Sequence, residues 1–242
     1  MKKTKYFLLL LIPIFFMVLS GCSSLSLKTT KNEYNANGLV AVIKGKATKA
    51  KKLTYTVAGV TKKVSMNEGH FAFTVPTTSN QQDVKIVASD GSATQTKIVT
   101  VNKEKPLTDY TALAQQYNYN ALMVDRPTDQ LPLIVKDGIF TYKQPTGTTL
   151  YFNVQSNYLM GIAMKCQYKD LKSETGLKNF GMSLYTMSEL AGADGKAVTK
   201  NLQKQMKNMD NGNKTTMKQI TSKSVHVNIN LAGNAFYVYI TK

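Results

Sequence analysis

The sequence contains no tryptophan, one arginine, two cysteines and two histidines. Each scarcity removes a class of chemistry. A metal centre or an acid–base pair built on histidine needs carboxylates or cysteines beside it, and neither His70 nor His226 has them at a ligand-like spacing. Two cysteines cannot make the disulfide framework of a small secreted scaffold. The lone Arg126 argues against forked recognition of phosphates or base edges, so no specific nucleic-acid partner is expected. The phosphate-binding glycine loop, the serine elbow, the paired-histidine zinc helix and the calcium loop are all missing. The chain therefore reads as non-catalytic, with no metal and no diffusible cofactor.

Long apolar runs are scarce too, with one exception. Tyr6 to Leu19 is apolar and follows the cationic start Met1-Lys2-Lys3-Thr4-Lys5. As a helix this run would cover roughly 21 Å, short of the about 30 Å of a bilayer core, and Pro13 lies inside it. A charged start, a short apolar middle and a small-residue end describe a secretory leader, residues 1–21. Its end, Leu19-Ser20-Gly21-Cys22, resembles the lipobox of bacterial lipoproteins. That resemblance implies cleavage between Gly21 and Cys22 and a diacylglycerol thioether on Cys22, with the new amino terminus acylated (palmitate or a similar chain) or exposed. Two acyl chains hold a protein on a membrane where one is marginal. The expected address is the outer face of the cytoplasmic membrane.

What remains is basic. Of 31 basic residues the leader removes Lys2, Lys3 and Lys5, leaving 28 against 14 acidic ones, a net charge of +14. A lysine surface gives diffuse, salt-sensitive attraction to polyanions. Outside a Gram-positive membrane those are anionic lipid headgroups and teichoic acids, and a solubilising surface with no partner is the plain alternative. Cys22 being committed to lipid, Cys166 has no partner, and its apolar surroundings in "LMGIAMKCQYKD" mark a buried, inert thiol.

Residues 22–36 are polar and small and read as a flexible tether. From 37 to 103 the pattern is short alternating strands at hairpin spacing: "LVAVIKGKA", "LTYTVAG", "VTKKVSM", "HFAFTV", "DVKIVAS" and "TKIVTV". Such a run without helix predicts a small β-sandwich. Gly45 at the first strand's end, Gly69-His70-Phe71, Asp90-Gly91 and Val99-Thr100-Val101 resemble bacterial Ig-like modules. The resemblance implies a spacer or binding module. The core tryptophan and disulfide of antibody domains are absent.

Residues 107–242 predict an α+β domain, making the whole chain mainly β with an α+β second half. Thr108 would cap a helix to about Asn118, with Tyr110, Leu113 and Tyr117 on one side. "DRPTDQLP" is a loop. "LPLIVK" and "IFTYK" would form a hairpin around Asp137-Gly138, followed by strands "TTLYFNVQ", "YLMGIAMKCQY" and "FGMSLYTM". Val198, Leu202, Met206 and Met209 predict a helix from about Lys196 that Asp210-Asn211-Gly212 stops. "SVHVNINL" and "AFYVYIT" close the chain as a hairpin. The order of strands, lysine-coated helix and hairpin resembles PsbP-like lipoprotein domains.

Candidate functional residues are few. Tyr237, Tyr239 and His226 share one face of the last hairpin and could form a polar binding surface or a cross-strand cluster. Asp125 and Arg126 stand in the proline-rich loop and would pair with one another; Asp125, Asp129 or His226 are the residues a cell-wall hydrolase or enzyme accessory would use. Thirteen tyrosines are the main aromatic surface, able to stack on sugars. Three readings follow: a lipid-anchored binding or adhesion protein for an anionic envelope polymer or protein partner, a hydrolase, and a small-ligand-binding lipoprotein with a cavity under the lysine-coated helix. Cys22→Ser should abolish metabolic labelling by fatty acid and move the chain from the membrane to the aqueous fraction; an unchanged membrane fraction would contradict the leader assignment.

Overall fold

A computed structural model describes residues 24–210 and 217–242. The lipobox Leu19 to Cys22, with its cleavage site, and the helix stop at Asn211-Gly212 lie outside the described residues. The described chain is mostly β, with three sheets and three helices.

The first half is a two-sheet sandwich. Its strands are β1 (Ser26–Thr29), β2 (Glu33–Tyr34), β3 (Val40–Thr48), β4 (Lys52–Val57), β5 (Val60–Lys63), β6 (Met66–Asn67), β7 (His70–Pro76), β8 (Gln82–Ser89) and β9 (Thr94–Val101). They form the sheets β1-β3-β7-β6 and β2-β9-β8-β4-β5. Period-2 burial supplies the filling: Ile43, Phe71 and Val75 from one sheet meet Leu53, Val84, Ile86 and Val99 from the other. The expected tether is not free. Leu25 and Tyr34 are buried in this core, and β1 and β2 pair with β3 and β9, because their apolar side chains complete a core that the later strands leave open at its edge. Gly45 does not end its strand; β3 runs on to Thr48. A Cβ at Gly45 would strike the Lys28 carbonyl oxygen and the Phe71 ring, so glycine serves the close approach of β1.

The second half follows Leu107. Its elements are β10 (Thr108–Asp109), α1 (Tyr110–Met123), β11 (Gly138–Lys143), β12 (Thr149–Gln155), β13 (Tyr158–Gln167), α2 (Glu174–Leu190), α3 (Gly195–Asp210), β14 (Ile220–Ser222), β15 (Val225–Ala232) and β16 (Ala235–Thr241). The antiparallel sheet runs β11-β12-β13-β16-β15-β14, with β10 also on β13. Leu150, Phe152, Ile162, Met164, Phe236, Val238 and Ile240 point to one side, where Tyr110, Leu113, Phe180, Leu184, Met187, Val198 and Leu202 of the helices cover them.

Three expectations are corrected. Thr108 is paired with Leu159 in β10, and the helix cap is Asp109, whose Oδ1 accepts from the Ala112 amide at 2.9 Å. "FGMSLYTM" is not a strand but the middle of α2. Alternation would bury Met182 with Phe180 and Leu184, yet Met182 is 42% exposed while Ser183 and Met187 are buried, a helical spacing that Ser173 starts by capping Gly176. "LPLIVK" is irregular, because its backbone is held by side chains of α1: Asn118 accepts from the Leu131 amide and donates to its carbonyl, and the Tyr110 hydroxyl donates to the Pro132 carbonyl at 2.6 Å. β11 therefore pairs with β12 alone, and Asp137 accepts from the Ser156 amide rather than turning a hairpin.

The sandwich rests on the far side of the second sheet, at one end. Asn153 is completely buried, and its Nδ2 donates to the Leu39 carbonyl (3.0 Å) and the Thr77 carbonyl (2.9 Å), while its Oδ1 accepts from Gln155. Leu39 also lies over Gly161, where a Cβ would meet its side chain at 2.8 Å. Removing the donor leaves the Leu39 carbonyl with only longer bonds from Thr77, its amide at 3.3 Å, and takes the side-chain donor from the Thr77 carbonyl, at a cost of about 1–3 kcal/mol. Asn153→Ala should lower the urea midpoint correspondingly, and a midpoint unchanged from the parent would show that the two halves do not depend on this clip.

Candidate functional site

Helices cover one face of the second sheet, and the sandwich takes one end of the other. What is left of that open face is set by register. Tyr151, Ala163, Tyr239 and Asn228 lie side by side across β12, β13, β16 and β15, and Thr149, Lys165, Tyr237 and Asn230 form the next row. These are the alternate positions to the buried Leu150, Met164 and Val238, so the strand period that builds the core also presents the tyrosines outward. The Tyr237 and Tyr239 rings are nearly parallel, at 9° and 6.2 Å between centroids, and Lys165 Nζ sits 5.7 Å from the Tyr237 ring centre. The hydroxyl of Tyr239 titrates above its ordinary value because of burial first and then the neighbouring Tyr237 and Tyr151.

Beside these rows a polar cleft of about 320 Å³ opens between the two halves. Asn37, Gly38, Thr77 and Lys105 form one wall, and Asn228 and Tyr239 belong to the other. Gly38 has a positive φ of 71° and lies flat against the Tyr239 ring, where a Cβ would approach to 2.5 Å. Tyr239 thus belongs both to the tyrosine rows and to the cleft.

The sequence candidates separate into two places. Tyr237, Tyr239 and His226 are together on the open face, half-buried, and among the described residues the His226 ring bonds only Thr221 Oγ1, at 3.2 Å. Asp125 and Arg126 are on the helical side and do not pair, no side-chain bond or ion pair joining them among the described residues. Asp125 ends α1 instead: at φ 55° it takes the left-handed position of a Schellman turn, its amide donating to the Leu122 carbonyl and that of Arg126 to the Ala121 carbonyl. Asp129 is buried and accepts at Oδ1 from the hydroxyls of Tyr117 (2.7 Å) and Tyr142 (2.9 Å). Gln144 donates to Tyr117, and Ser183 donates to Gln144. Burial, with Asp129 alongside, raises both tyrosine hydroxyls far above their ordinary range. Asp129 and His226 therefore stand on opposite sides of the sheet, and Asp125, Asp129 and His226 share no pocket. Among the described residues no group of His, Cys, Asp and Glu has the proximity to hold a metal ion, and no helix is long and apolar enough to cross a membrane. The space expected under α3 is filled by Val198, Leu202, Ile220 and Val225.

The Asn228–Tyr239 pairing and the whole Asp129 network escaped the sequence reading. The first was implicit in the hairpin's alternation; the second joins residues from α1, a loop, β11 and α2, and local pattern carries no such signal.

No family model matches the chain, and no curated protein matches it. Among solved structures it is similar to the endo-β-1,4-mannanase from Thermotoga petrophila at 9% identity and TM-score 0.31, over 35% of this chain and 21% of that one. A β-glucuronidase of Bacteroides uniformis aligns at 11% identity and TM-score 0.30, over 59% of this chain and 15% of its own length. The fibronectin(III)-like modules of Clostridium thermocellum CbhA align at 16% identity and TM-score 0.26, over 32% of this chain and 95% of theirs. The chain thus spans about a fifth of the mannanase it matches.

Cys166 is buried on the helical side of β13, and burial pushes its thiol from the ordinary 9.0 up to about 12, Asp170 adding to the shift. The sign is that of a group kept protonated by folding: its contribution to stability is complete below the unfolded thiol's pKa and disappears as pH rises through the folded value. Native protein at pH 8 should react with a thiol reagent at least tenfold more slowly than the same protein in urea; equal rates would place the thiol in solvent.

Proposed function

We propose that the chain is a lipid-anchored extracytoplasmic protein, without catalysis, that binds an anionic, hydroxyl-rich envelope polymer of the teichoic-acid class on the open face of its second sheet. The observation that carries the reading is the pair of parallel tyrosine rings with Lys165 beside them, opening into the polar cleft. Ring faces pack on the C–H faces of sugars and polyols, an ammonium meets phosphate as a point charge, and the amides of Asn228 and Asn230 offer both donors and acceptors to hydroxyls. The excess of lysine adds long-range attraction that concentrates a polyanion at the surface.

The sandwich acts as an Ig-like spacer. It stands between the amino terminus and the binding face, and its contact at Asn153 fixes the angle at which that face is carried. The hydrolase reading loses its support, because a two-carboxylate or histidine-assisted site needs its groups around one reacting atom and Asp125, Asp129 and His226 have no common pocket.

Binding of purified chain to teichoic acid should weaken by about tenfold as salt rises from about 50 to about 200 mM, the behaviour of a few ion contacts to a flexible polyanion. Tyr237→Ala should cost about 1 kcal/mol, roughly fivefold, at either salt concentration. Lys165→Gln should flatten the salt dependence. No binding at low salt, or affinity indifferent to both substitutions, would overturn the assignment.

A further inference from the structure

The helical side of the second domain holds a feature that polymer binding does not use. Between α1 and α2 lies a half-open cleft of about 110 Å³, lined by Asp129 and Arg126 and walled by Ala121, Val124 and Met182. Asp129 is only 3% exposed. Among the described residues its side chain accepts only at Oδ1, from Tyr117 and Tyr142, and Oδ2 has no hydrogen-bond partner. Oδ2 is not one of the fully buried atoms left without a partner, so it meets the cleft, and there a cation can complete a carboxylate that is otherwise largely desolvated. Arg126 lines the same cleft, yet no ion pair or side-chain hydrogen bond joins it to Asp129 among the described residues.

Both charges are held in place by backbone. The Schellman turn at Asp125 directs the chain so that the Arg126 amide bonds Ala121, and the Arg126 carbonyl accepts from the Asp129 amide at 3.0 Å. The buried carboxylate is held by the tyrosine and Gln144–Ser183 network, and the arginine is half-buried. A simple cation would be repelled by Arg126, and a simple anion by Asp129. A molecule carrying both charges a few bonds apart satisfies each.

We propose that this cleft binds a small zwitterion of the α-amino acid class, its ammonium on Asp129 Oδ2, its carboxylate on Arg126 and its short side chain against Val124 and Met182. The size limits the ligand. At about 30 Å³ per water the space replaces roughly four water molecules, far below the about 300 Å³ at which drug-sized pockets begin. Glycine and alanine are the scale that fits.

Calorimetric titration of the purified full chain with glycine, L-alanine and D-alanine, beside methylamine and acetate as half-ligands, tests the assignment. At least one amino acid should bind, and both half-ligands should bind at least tenfold more weakly. Arg126→Gln should weaken amino-acid binding at least tenfold with an unchanged melting temperature, since the Arg126 side chain makes no hydrogen bond or ion pair among the described residues. Asp129→Asn should do the same, with its melt reporting whether the tyrosine network survives. Tyr237→Ala should leave the titration unchanged, which separates this site from the polymer surface. No heat from any amino acid up to tens of millimolar, methylamine binding as well as alanine, or full affinity in Arg126→Gln would each overturn the proposal.

Discussion

The second domain depends on a one-sided sheet. Along β12, β13 and β16 every second residue is apolar and buried under three helices: Leu150 and Phe152, Ile162 and Met164, Phe236 and Val238. Burying side chains of this size contributes about 1.5–3 kcal/mol each, so a one-residue slip of any central strand would turn a row of them to solvent. That cost fixes the register, and the register fixes the other face. Tyr151, Lys165, Tyr237 and Tyr239 are outward because their neighbours must be inward. The surface proposed to bind is thus a consequence of the core.

Only part of that outer face stays open. Asn153 and Gly161 are where the sandwich sits, and Asn153 is the buried polar group that makes the seat specific: its amide donates to the carbonyls of both Leu39 and Thr77. An apolar seat of the same area could slide. With Gly38 pressed on Tyr239, the contact also shapes the cleft. The two halves therefore meet in a way that links the carrier domain to the binding rows.

Strand alternation made much of this legible in the sequence. The sandwich strands, α3 and the last hairpin were readable because each buries residues at one clear period. Three places were not. Phe180, Met182 and Leu184 alternate as in a strand, and only burial of Ser183 and Met187 reveals the helix. Leu131 to Lys136 has strand composition, but Asn118 and Tyr110, more than ten residues away in the chain, take its hydrogen bonds. Residues 25–34 look like a linker by composition, yet Leu25 and Tyr34 supply a sandwich edge. At the candidate sites the hairpin face was visible and its continuation onto Tyr151 and Lys165 was not, since that needs the pairing of β12, β13 and β16. Asp125 looked chemical and is a helix stop; Asp129 looked equivalent and is the buried one.

The central claim is that the open sheet face, and not the helical side, meets the polymer. Hydroxyl-radical footprinting with teichoic acid bound tests it directly, because tyrosines report from both sides. Tyr151, Tyr237 and Tyr239 should become protected while Tyr119 and Tyr185, exposed on the helices, keep their reactivity. Protection of Tyr119 and Tyr185 instead, or none on the sheet, would contradict the account.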